Sequence, residues 1–400
     1  MTTYRIEDKV YSAGSDGLSS ALDAAKRHGV RPVCLCREPG QLMYIASVSG
    51  RLTLKRMPNS GGNHAPSCDS YEPPAELSGL GQVLGSAIQE NPEDGMTALK
   101  LGFSLTKTSG RAAPVLSATE SDSVKTDGTK LTLRSTLHYL WDQAGFNRWS
   151  PAMAGRRSWY TVRKYLLQAA DGKTTKGSKL SELLYVPEPF SAEHKDEIAQ
   201  RRMAFFSRAT GRGANGSRSL LVAIGEVKEI ASARFGHKII FKHVPDAHFM
   251  LNEDLHKRLV KRFELELGLV GAVDGAHLIA IASFGVGDAG VASIEEIALM
   301  PVTENWIPFE TNYDKLLIDK MTGADRRFVK GLRYNLASDR PLACMVASDT
   351  GPMPTAMYIS TANGADSYHQ ALETLMTGSA MRSWIWRANE GEMPALPARS

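Results

Sequence analysis

The chain has few cysteines and no long apolar run, and each shortage excludes a class of protein. Four cysteines in 400 residues are too few for a disulfide scaffold. Apolar runs such as residues 220–224 and 278–284 are too short to span a bilayer, so we expect them to form buried strands. The N-terminal residues contain no apolar stretch typical of a signal peptide. The sequence therefore favours a cytoplasmic protein that has no membrane partner.

A large excess of one charge sign is also missing. The formal net charge is only +4 at pH 7, which does not by itself indicate a nucleic-acid partner, so the local distribution of charge must decide. Hydrophobic residues make up 42% and charged residues 22%, which is typical of globular proteins. Because 400 residues exceed the size of a single hydrophobic core, roughly two to four domains are expected.

Three of the four cysteines fall within 35 positions, and a histidine lies four residues before the last of them. The candidate metal ligands are Cys34, Cys36, His64 and Cys68. Thiolates and an imidazole are preferred ligands of zinc, and a Cys₃His set fills all four tetrahedral positions, as in structural sites. The alternative is three reduced cysteines and a surface histidine without a metal. The sequence favours a structural zinc ion that contributes most of the local folding free energy, on the order of 10 kcal/mol.

A β-hairpin between the two ligand pairs explains how they meet. Residues 41–48 and 51–56 alternate between apolar and polar side chains, and Ser49 and Gly50 provide a tight turn. The two ends of a hairpin lie side by side, so Cys34 and Cys36 are expected to approach His64 and Cys68. The N-terminal part is therefore predicted to be a zinc-bound β-hairpin module.

The residues around these ligands resemble a bacterial family of unknown function. The resemblance is carried by the Cys-Leu-Cys motif at 34–36, by residues 54–58 and by residues 64–74, with further similarity through 137–157 and 225–308. That family has about this length, is marked by three N-terminal cysteines and often occurs on conjugative plasmids and integrative elements. The resemblance implies a mobile-element setting, and it implies no activity.

A helical region follows a short α/β segment, in which residues 101–106 are predicted to form a strand, and a linker rich in Ser, Thr, Gly and Lys at 107–130. Apolar residues recur at helical spacing from 133 to 141 and again in 156–170. Two helices joined by a turn suggest a module that resembles a helix-turn-helix.

Basic and aromatic residues are interleaved between positions 148 and 179, where Asp171 is the only acid. The candidate nucleic-acid contacts are Arg148, Trp149, Arg156, Arg157, Trp159, Arg163, Lys164, Lys173 and Lys176. Cations for phosphates and rings for stacking would share one surface. The alternative is a solvated face with core aromatics. Residues 201–218 form a second basic stretch without acids, and the glycines of 211–216 follow a helix and precede a strand, which excludes a dinucleotide-binding loop.

The last hundred residues predict the element order helix, three strands, helix, strand. This order, with Pro341 at the start of the second strand, is similar to the core of the restriction-endonuclease-like (PD-D/E-x-K) superfamily. Such nucleases hold Mg²⁺ with carboxylates, yet Leu342 follows the proline and residues 356–359 lack the acid and the lysine. Only Glu310 or Asp314 could match the acid of the first helix, and Asp349 lies past the strand. An inactive, degenerate endonuclease-like domain is therefore expected.

The predicted fold class is α+β and multidomain. The predicted domains are a zinc-binding β-hairpin module (1–75), a short α/β segment and linker (76–130), a basic helical domain (131–210), an α+β domain (219–305) and a degenerate endonuclease-like αβββαβ core (306–390). We interpret the chain as a non-catalytic, zinc-containing accessory protein of a bacterial mobile element that binds nucleic acid, in the first place DNA, or a nucleoprotein complex. The alternatives are a metal-dependent nuclease and a protein-interaction or inhibitory factor acting on a conjugation component. No small-molecule substrate is evident.

Overall fold

The computed structural model describes residues 2–48, 50–107, 128–211, 216–361 and 366–400. Most of the predicted linker at 107–130 and part of the glycine-rich loop at 211–216 lie outside these residues. The described part contains ten α-helices and several sheets, so the predicted α+β class is confirmed. No helix of the described ranges is long and apolar enough to cross a membrane.

The N-terminal region is a five-stranded sheet with the order β2-β1-β3-β4-β5. Its elements are β1 (Thr3–Ile6), β2 (Lys9–Ser12), α1 (Leu18–Arg27), β3 (Val33–Cys34), β4 (Gln41–Val48) and β5 (Arg51–Arg56). The β4–β5 hairpin has the predicted bounds, and Val48 pairs with Arg51 across its turn. The sheet has three strands more than the predicted hairpin. Helix α1 buries Leu22 and Ala25 against it, and these side chains form a small core.

A second, four-stranded sheet has the order β11-β10-β7-β6. The elements in chain order are α2 (Leu80–Val83), β6 (Ile88–Glu90), β7 (Thr97–Leu99), β8 (Thr106–Lys107), α3 (Leu133–Gln143), β9 (Arg148–Trp149), α4 (Trp159–Ala170), β10 (Lys173–Thr175), β11 (Ser178–Lys179), α5 (Leu180–Leu183) and β12 (Leu184–Tyr185). The predicted strand at 101–106 is wrong: Leu101 forms only an isolated bridge with Leu131, and β8 begins at Thr106.

The central sheet closes on itself. The region of this sheet contains α6 (Lys195–Phe206), β13 (Arg218–Ser219), β14 (Leu221–Ser232), β15 (His237–Phe241), β16 (Phe249–Leu251), α7 (Glu253–Arg262), α8 (Glu264–Ala272), β17 (His277–Val286) and β18 (Ala292–Val302). Strand β13 pairs with β8 in a separate two-stranded sheet. The strand order is β12-β14-β15-β16-β18-β17, and β14 also pairs with β17. The ring encloses Phe241, Phe249 and Phe284, whose side chains are fully buried. Asn252 caps α7 by accepting a hydrogen bond from the Leu255 backbone, as its position before two acids predicts.

The C-terminal sheet has the order β22-β21-β20-β19-β9. Its further elements are α9 (Asn312–Gly323), β19 (Phe328–Lys330), β20 (Met345–Ala347), β21 (Thr355–Ser360), α10 (Asp366–Thr377) and β22 (Arg382–Arg387). Helix α9 packs on one group of strand side chains and α10 on another. The observed elements follow the predicted order, but order alone does not assign a superfamily. The endonuclease-like core therefore stays a prediction.

The largest hydrophobic core joins segments that are far apart in the sequence. It extends from Val83 to Tyr334 and takes in α3, α4 and the central sheet. Helix α3 lies deep in this core, with Leu137 and Trp141 fully buried. Strand β9, which follows α3, pairs with β19 at the edge of the C-terminal sheet. The five predicted domain boundaries stay a prediction.

Candidate metal centre and the basic segment

The four predicted ligands are carried by the N-terminal sheet and the loop that follows it. Cys34 ends β3, which lies between β1 and β4, and Cys36 comes two residues later. A single 3₁₀ turn, Gly61–Asn63, lies in the loop that follows β5. His64 comes directly after this turn and lies beside the two cysteines. A further turn then brings in Cys68, whose backbone N–H donates to the Ala65 carbonyl at 2.8 Å.

The ligand atoms lie at the corners of a compact group. The Cys34 and Cys68 sulfurs are 3.8 Å apart, and His64 Nδ1 is 3.4 Å from the Cys36 sulfur and 3.8 Å from that of Cys68. All four ligand atoms lie within 4.8 Å of one another. Zinc with sulfur ligands at about 2.3 Å and nitrogen at about 2.1 Å requires edges of about 3.8 Å and about 3.6 Å in a regular tetrahedron. The three separations of 3.4–3.8 Å are close to these edges, so a tetrahedral metal ion would fit the group.

The group is largely buried, and backbone N–H groups reach two of its sulfurs. Cys34 and His64 are fully buried, and His64 Nε2 has no hydrogen-bond partner among the described residues. Burial raises the pKa of the Cys34 thiol to about 12, and burial also raises the pKa of Cys68 and lowers that of His64. Backbone N–H groups donate to two of the sulfurs, from Ala65 to Cys36 and from Ser70 to Cys68. This Cys₃His group could hold a metal ion such as zinc.

Arg148 lies next to this group rather than on a free basic face. Its guanidinium donates to the Tyr71 carbonyl at 2.6 Å and lies 3.6 Å from the Glu72 carboxylate. Arg56, the last residue of β5, pairs with the other oxygen of Glu72. The residue that the sequence suggested for nucleic-acid contact therefore connects β9 to the loop that follows the cysteines.

Several other predicted nucleic-acid contacts are also buried. Trp149 and Trp159 are core residues, and the indole N–H of Trp159 donates to the Pro187 carbonyl at 2.8 Å. The Arg157 guanidinium donates to backbone carbonyls, including those of Phe146 and Asn305 at 3.2 and 3.0 Å. Burial lowers the pKa of Arg157 to about 10. These side chains are held by the protein interior.

The remaining lysines and arginines of the segment fall into two groups, those held by the protein interior and those exposed to solvent. Lys173 is buried beside Lys55, and its pKa is lowered to about 7, first by burial and then by that second lysine. Arg163 is partly buried and donates to the Val186 carbonyl at 3.1 Å. Arg156, Lys164 and Lys176 are exposed. Of the nine predicted contacts, only these three are fully available to a partner.

The rings that face solvent are tyrosines of α4. Tyr160 is 67% exposed and Tyr165 is 42% exposed. The helical period of the sequence could have identified them, because Trp159, Val162 and Leu166 repeat on the buried face of α4 while Tyr160 lies about 100° from that face. Nucleic-acid binding by this segment stays a prediction, which now depends on a smaller set of side chains.

Two of the carboxylates considered for a nuclease are already paired with cations. Asp314 is buried at the start of α9, 3.2 Å from the Lys330 ammonium. Asp349 makes two contacts of 2.8–2.9 Å with the Arg326 guanidinium. Among the described residues, the cysteine-histidine group is the only set of three or more His, Cys, Asp or Glu side chains close enough to hold a metal. The alternative of an active nuclease gains no support from these positions.

A small cavity of about 40 Å³ lies where Glu72, Asp142 and Asn147 meet residues 329–332 of the C-terminal sheet. A volume of this size holds at most a few water molecules. Asp142 accepts a hydrogen bond from the Asn147 amide at 2.6 Å. Burial, followed by the nearby Glu72 carboxylate, raises the pKa of Asp142 to about 6.

Comparisons with known proteins agree with the resemblance seen in the sequence. A protein-family model described as "Protein of unknown function (DUF1173)" matches residues 4–389. No curated protein and no solved structure matches the chain. The prediction of a family of unknown function is confirmed. The mobile-element setting stays a prediction.

Proposed function

The chain belongs to the DUF1173 family, and for this member we propose a zinc-stabilised, non-catalytic protein that binds nucleic acid or a nucleoprotein partner. Zinc is the metal that best suits three thiolates and one imidazole, and the four ligand atoms of this group lie within 4.8 Å of one another. With four protein ligands the ion would have no open position for a substrate or water. We therefore propose a structural role for the metal.

One observation carries the proposed binding function: α4 contains no acidic residue, and its outer face presents cations and phenol rings together. Tyr160 and Lys164 lie one turn apart on this face, Arg156 precedes the helix, and Lys176 follows it in the β10–β11 turn. The helix is about 18 Å long, which is enough to reach several phosphates along a nucleic-acid backbone. The resemblance adds a mobile-element setting to this proposal.

A salt titration tests the proposal. We expect the full chain to bind a DNA oligonucleotide with an affinity that falls steeply with salt, because each phosphate contacted releases about one counterion. The double variant Arg156→Glu and Lys164→Glu should bind all sequences more weakly, with a log–log salt slope that is smaller by about two. The matched control is Lys257→Glu with Lys261→Glu on α7, which changes the net charge equally at another exposed place.

The outcomes separate the candidate functions. Loss of affinity in the α4 variant alone supports the proposed face, and equal loss in both variants would show that only net charge matters. No binding at low salt would contradict the proposal and would favour the protein-interaction alternative. Cleavage of the oligonucleotide in the presence of Mg²⁺ would contradict the non-catalytic role.

A further inference from the structure

The loop from His64 to Glu72 connects the metal ligands to the rest of the molecule. The Cys68 carbonyl accepts a hydrogen bond from the Tyr71 N–H at 3.0 Å, so the Cys68–Tyr71 turn fixes the Tyr71 carbonyl relative to the Cys68 sulfur. The Tyr71 side chain is buried in the same cluster as Cys34, Cys68 and Met43. The Glu72 N–H donates to the Gly61 carbonyl, and a Cβ at position 61 would lie only 2.6 Å from that of Glu72. The end of the loop is therefore held tightly to the metal-binding turn.

Arg148 joins this loop to the C-terminal sheet. Its guanidinium donates to the Tyr71 carbonyl at 2.6 Å and to the Asp69 carbonyl at 3.5 Å. Its backbone belongs to β9, where Arg148 is paired with Val329 of β19. The bond to Tyr71 is charge-assisted and partly buried, so it contributes more than a bond between neutral groups.

Little apolar packing reinforces the contact between the loop at 64–72 and β9. Among the described residues, the cluster around the cysteines includes one side chain from the C-terminal region, Met381. The cavity of about 40 Å³ lies between Glu72 and residues 329–332. A separate connection lies further along the chain, where the Gly79 N–H donates to the Leu332 carbonyl at 3.0 Å and the Ala343 N–H donates to the Leu77 carbonyl at 2.8 Å.

We propose that Arg148 couples metal binding to the edge of the C-terminal sheet, so that loss of the metal loosens the pairing of β9 with β19 while Trp149 stays packed in the core. This coupling requires the proposed metal site and is independent of nucleic-acid binding. When the ion leaves, the turn that ends in Tyr71 loses its anchor at Cys68, and the Tyr71 carbonyl no longer stays in place for the Arg148 guanidinium. The hydrogen bonds donated by the Gly79 and Ala343 N–H groups do not involve the metal ligands, so they remain formed when the metal is lost.

Hydrogen exchange of the full chain, with the zinc content measured on the same sample, tests the coupling. Removal of zinc by a chelator should raise exchange in residues 34–72 and also in residues 148–149 and 328–330. The increase at β9 and β19 should be at least about tenfold, the factor expected for loss of one charge-assisted hydrogen bond. Exchange at Gly79 and Ala343 should not change, and addition of zinc should restore protection.

A pair of arginine variants isolates the connection. Arg148→Ala should keep its zinc and yet show fast exchange at residues 328–330 even when loaded, whereas Arg156→Ala, an exposed residue of the same segment, should match the wild type. Arg148→Lys, which keeps the charge and loses the planar donor geometry, serves if the alanine variant does not fold. A zinc-loaded chain in which chelation affects only residues 34–72 would overturn the coupling. A wild-type chain that binds no zinc would overturn the metal site and the coupling with it.

Discussion

The metal module and the basic segment differ in whether the residues predicted to act together also lie together in the structure. In the module, four predicted ligands that are up to 34 positions apart meet within 4.8 Å. In the basic segment, nine predicted contacts that are close in sequence point in different directions: Trp149 and Lys173 are buried, and Arg157 is partly buried. Nearness in sequence is therefore a poor guide to a shared surface, whereas matching ligand chemistry is a good guide to a shared centre.

The physical reason lies in what each kind of site requires. A metal ion needs particular donor atoms at fixed separations, and residues with those donors are rare, so their type alone restricts the possibilities. A binding surface needs exposure, and exposure depends on which face of a helix packs against the core. Arginine also has a second use, since its five donors can satisfy buried carbonyls, as the Arg157 guanidinium does.

Of the changes that test the difference between the two regions, loss of one metal ligand should have the largest effect on zinc content and stability. We expect Cys36→Ser to reduce bound zinc well below one per chain and to unfold much of the N-terminal module, because metal binding is expected to contribute on the order of 10 kcal/mol there. The matched control is Cys344→Ser, since Cys344 lies in the C-terminal core and its thiol donates to the Met357 carbonyl. Elemental analysis and thermal unfolding measure both variants. Equal zinc content in the two variants would contradict the assignment.

The next largest effect is a difference in stability between variants of two adjacent arginines, Arg156 and Arg157. Arg157→Ala should destabilise the protein by about 3 kcal/mol, because it leaves several partly buried carbonyls without a donor. Arg156→Ala should change the free energy of unfolding by less than about 0.5 kcal/mol, because Arg156 is exposed. Urea denaturation of the two variants measures the difference. Similar values would mean that burial does not distinguish the two side chains, and the comparison between the regions would fail.

A pH-dependent effect of about the same size or smaller is expected from Asp142. The pKa of this carboxyl is raised from 3.8 to about 6, so the folded protein binds the proton more tightly than the unfolded chain does. Stability from this group is therefore greatest below about pH 4 and falls as pH rises through the window from about 4 to about 6. Linkage gives a loss of roughly 3 kcal/mol at most.

The variant Asp142→Asn tests this effect, because an amide cannot take up or release the proton. The difference in unfolding free energy between the variant and the wild type should grow in favour of the variant as pH rises from 4.5 to 7. Asp23→Asn is the control, since Asp23 lies on the surface in an ion pair with Arg27. A difference that stays constant with pH for Asp142→Asn would show that this carboxyl does not titrate in the window.

The smallest effect should come from an exposed ring of α4. Tyr160→Ala should leave stability within about 0.5 kcal/mol of the wild type and weaken binding to single-stranded DNA by about 1 kcal/mol, the lower end of what one stacked base contributes. Trp159→Ala, at the adjacent buried position, should instead destabilise the core by several kcal/mol. Unchanged DNA affinity in the Tyr160 variant would remove that ring from the proposed face.

The fold could be predicted from the sequence where a local pattern decides it. The β4–β5 hairpin, the Asn252 cap and the element order after residue 311 follow from alternation, capping and apolar period. The closed ring of the central sheet could not be predicted, because β14 and β17 pair across more than fifty residues and no local signal encodes that pairing. The strand predicted at 101–106 failed because its apolar residues turn into the core as irregular chain.

The candidate site shows the same limit. Donor type identified Cys34, Cys36, His64 and Cys68, but nothing in the sequence indicated that Arg148 reaches the loop behind Cys68. That contact depends on the docking of β9 beside β19, which is a long-range pairing. An arginine between Asn147 and Trp149 gives no sign in the sequence of whether it faces solvent or a backbone carbonyl.

X-ray absorption at the zinc edge of the purified full chain tests whether Cys34, Cys36, His64 and Cys68 hold a zinc ion. We expect about one zinc per chain, with three sulfur neighbours at about 2.3 Å and one nitrogen neighbour at about 2.1 Å. The Cys36→Ser variant should show less zinc or one sulfur fewer. A wild-type chain without zinc, or zinc surrounded mainly by oxygen and nitrogen, would contradict the assignment of Cys34, Cys36, His64 and Cys68 as the metal centre.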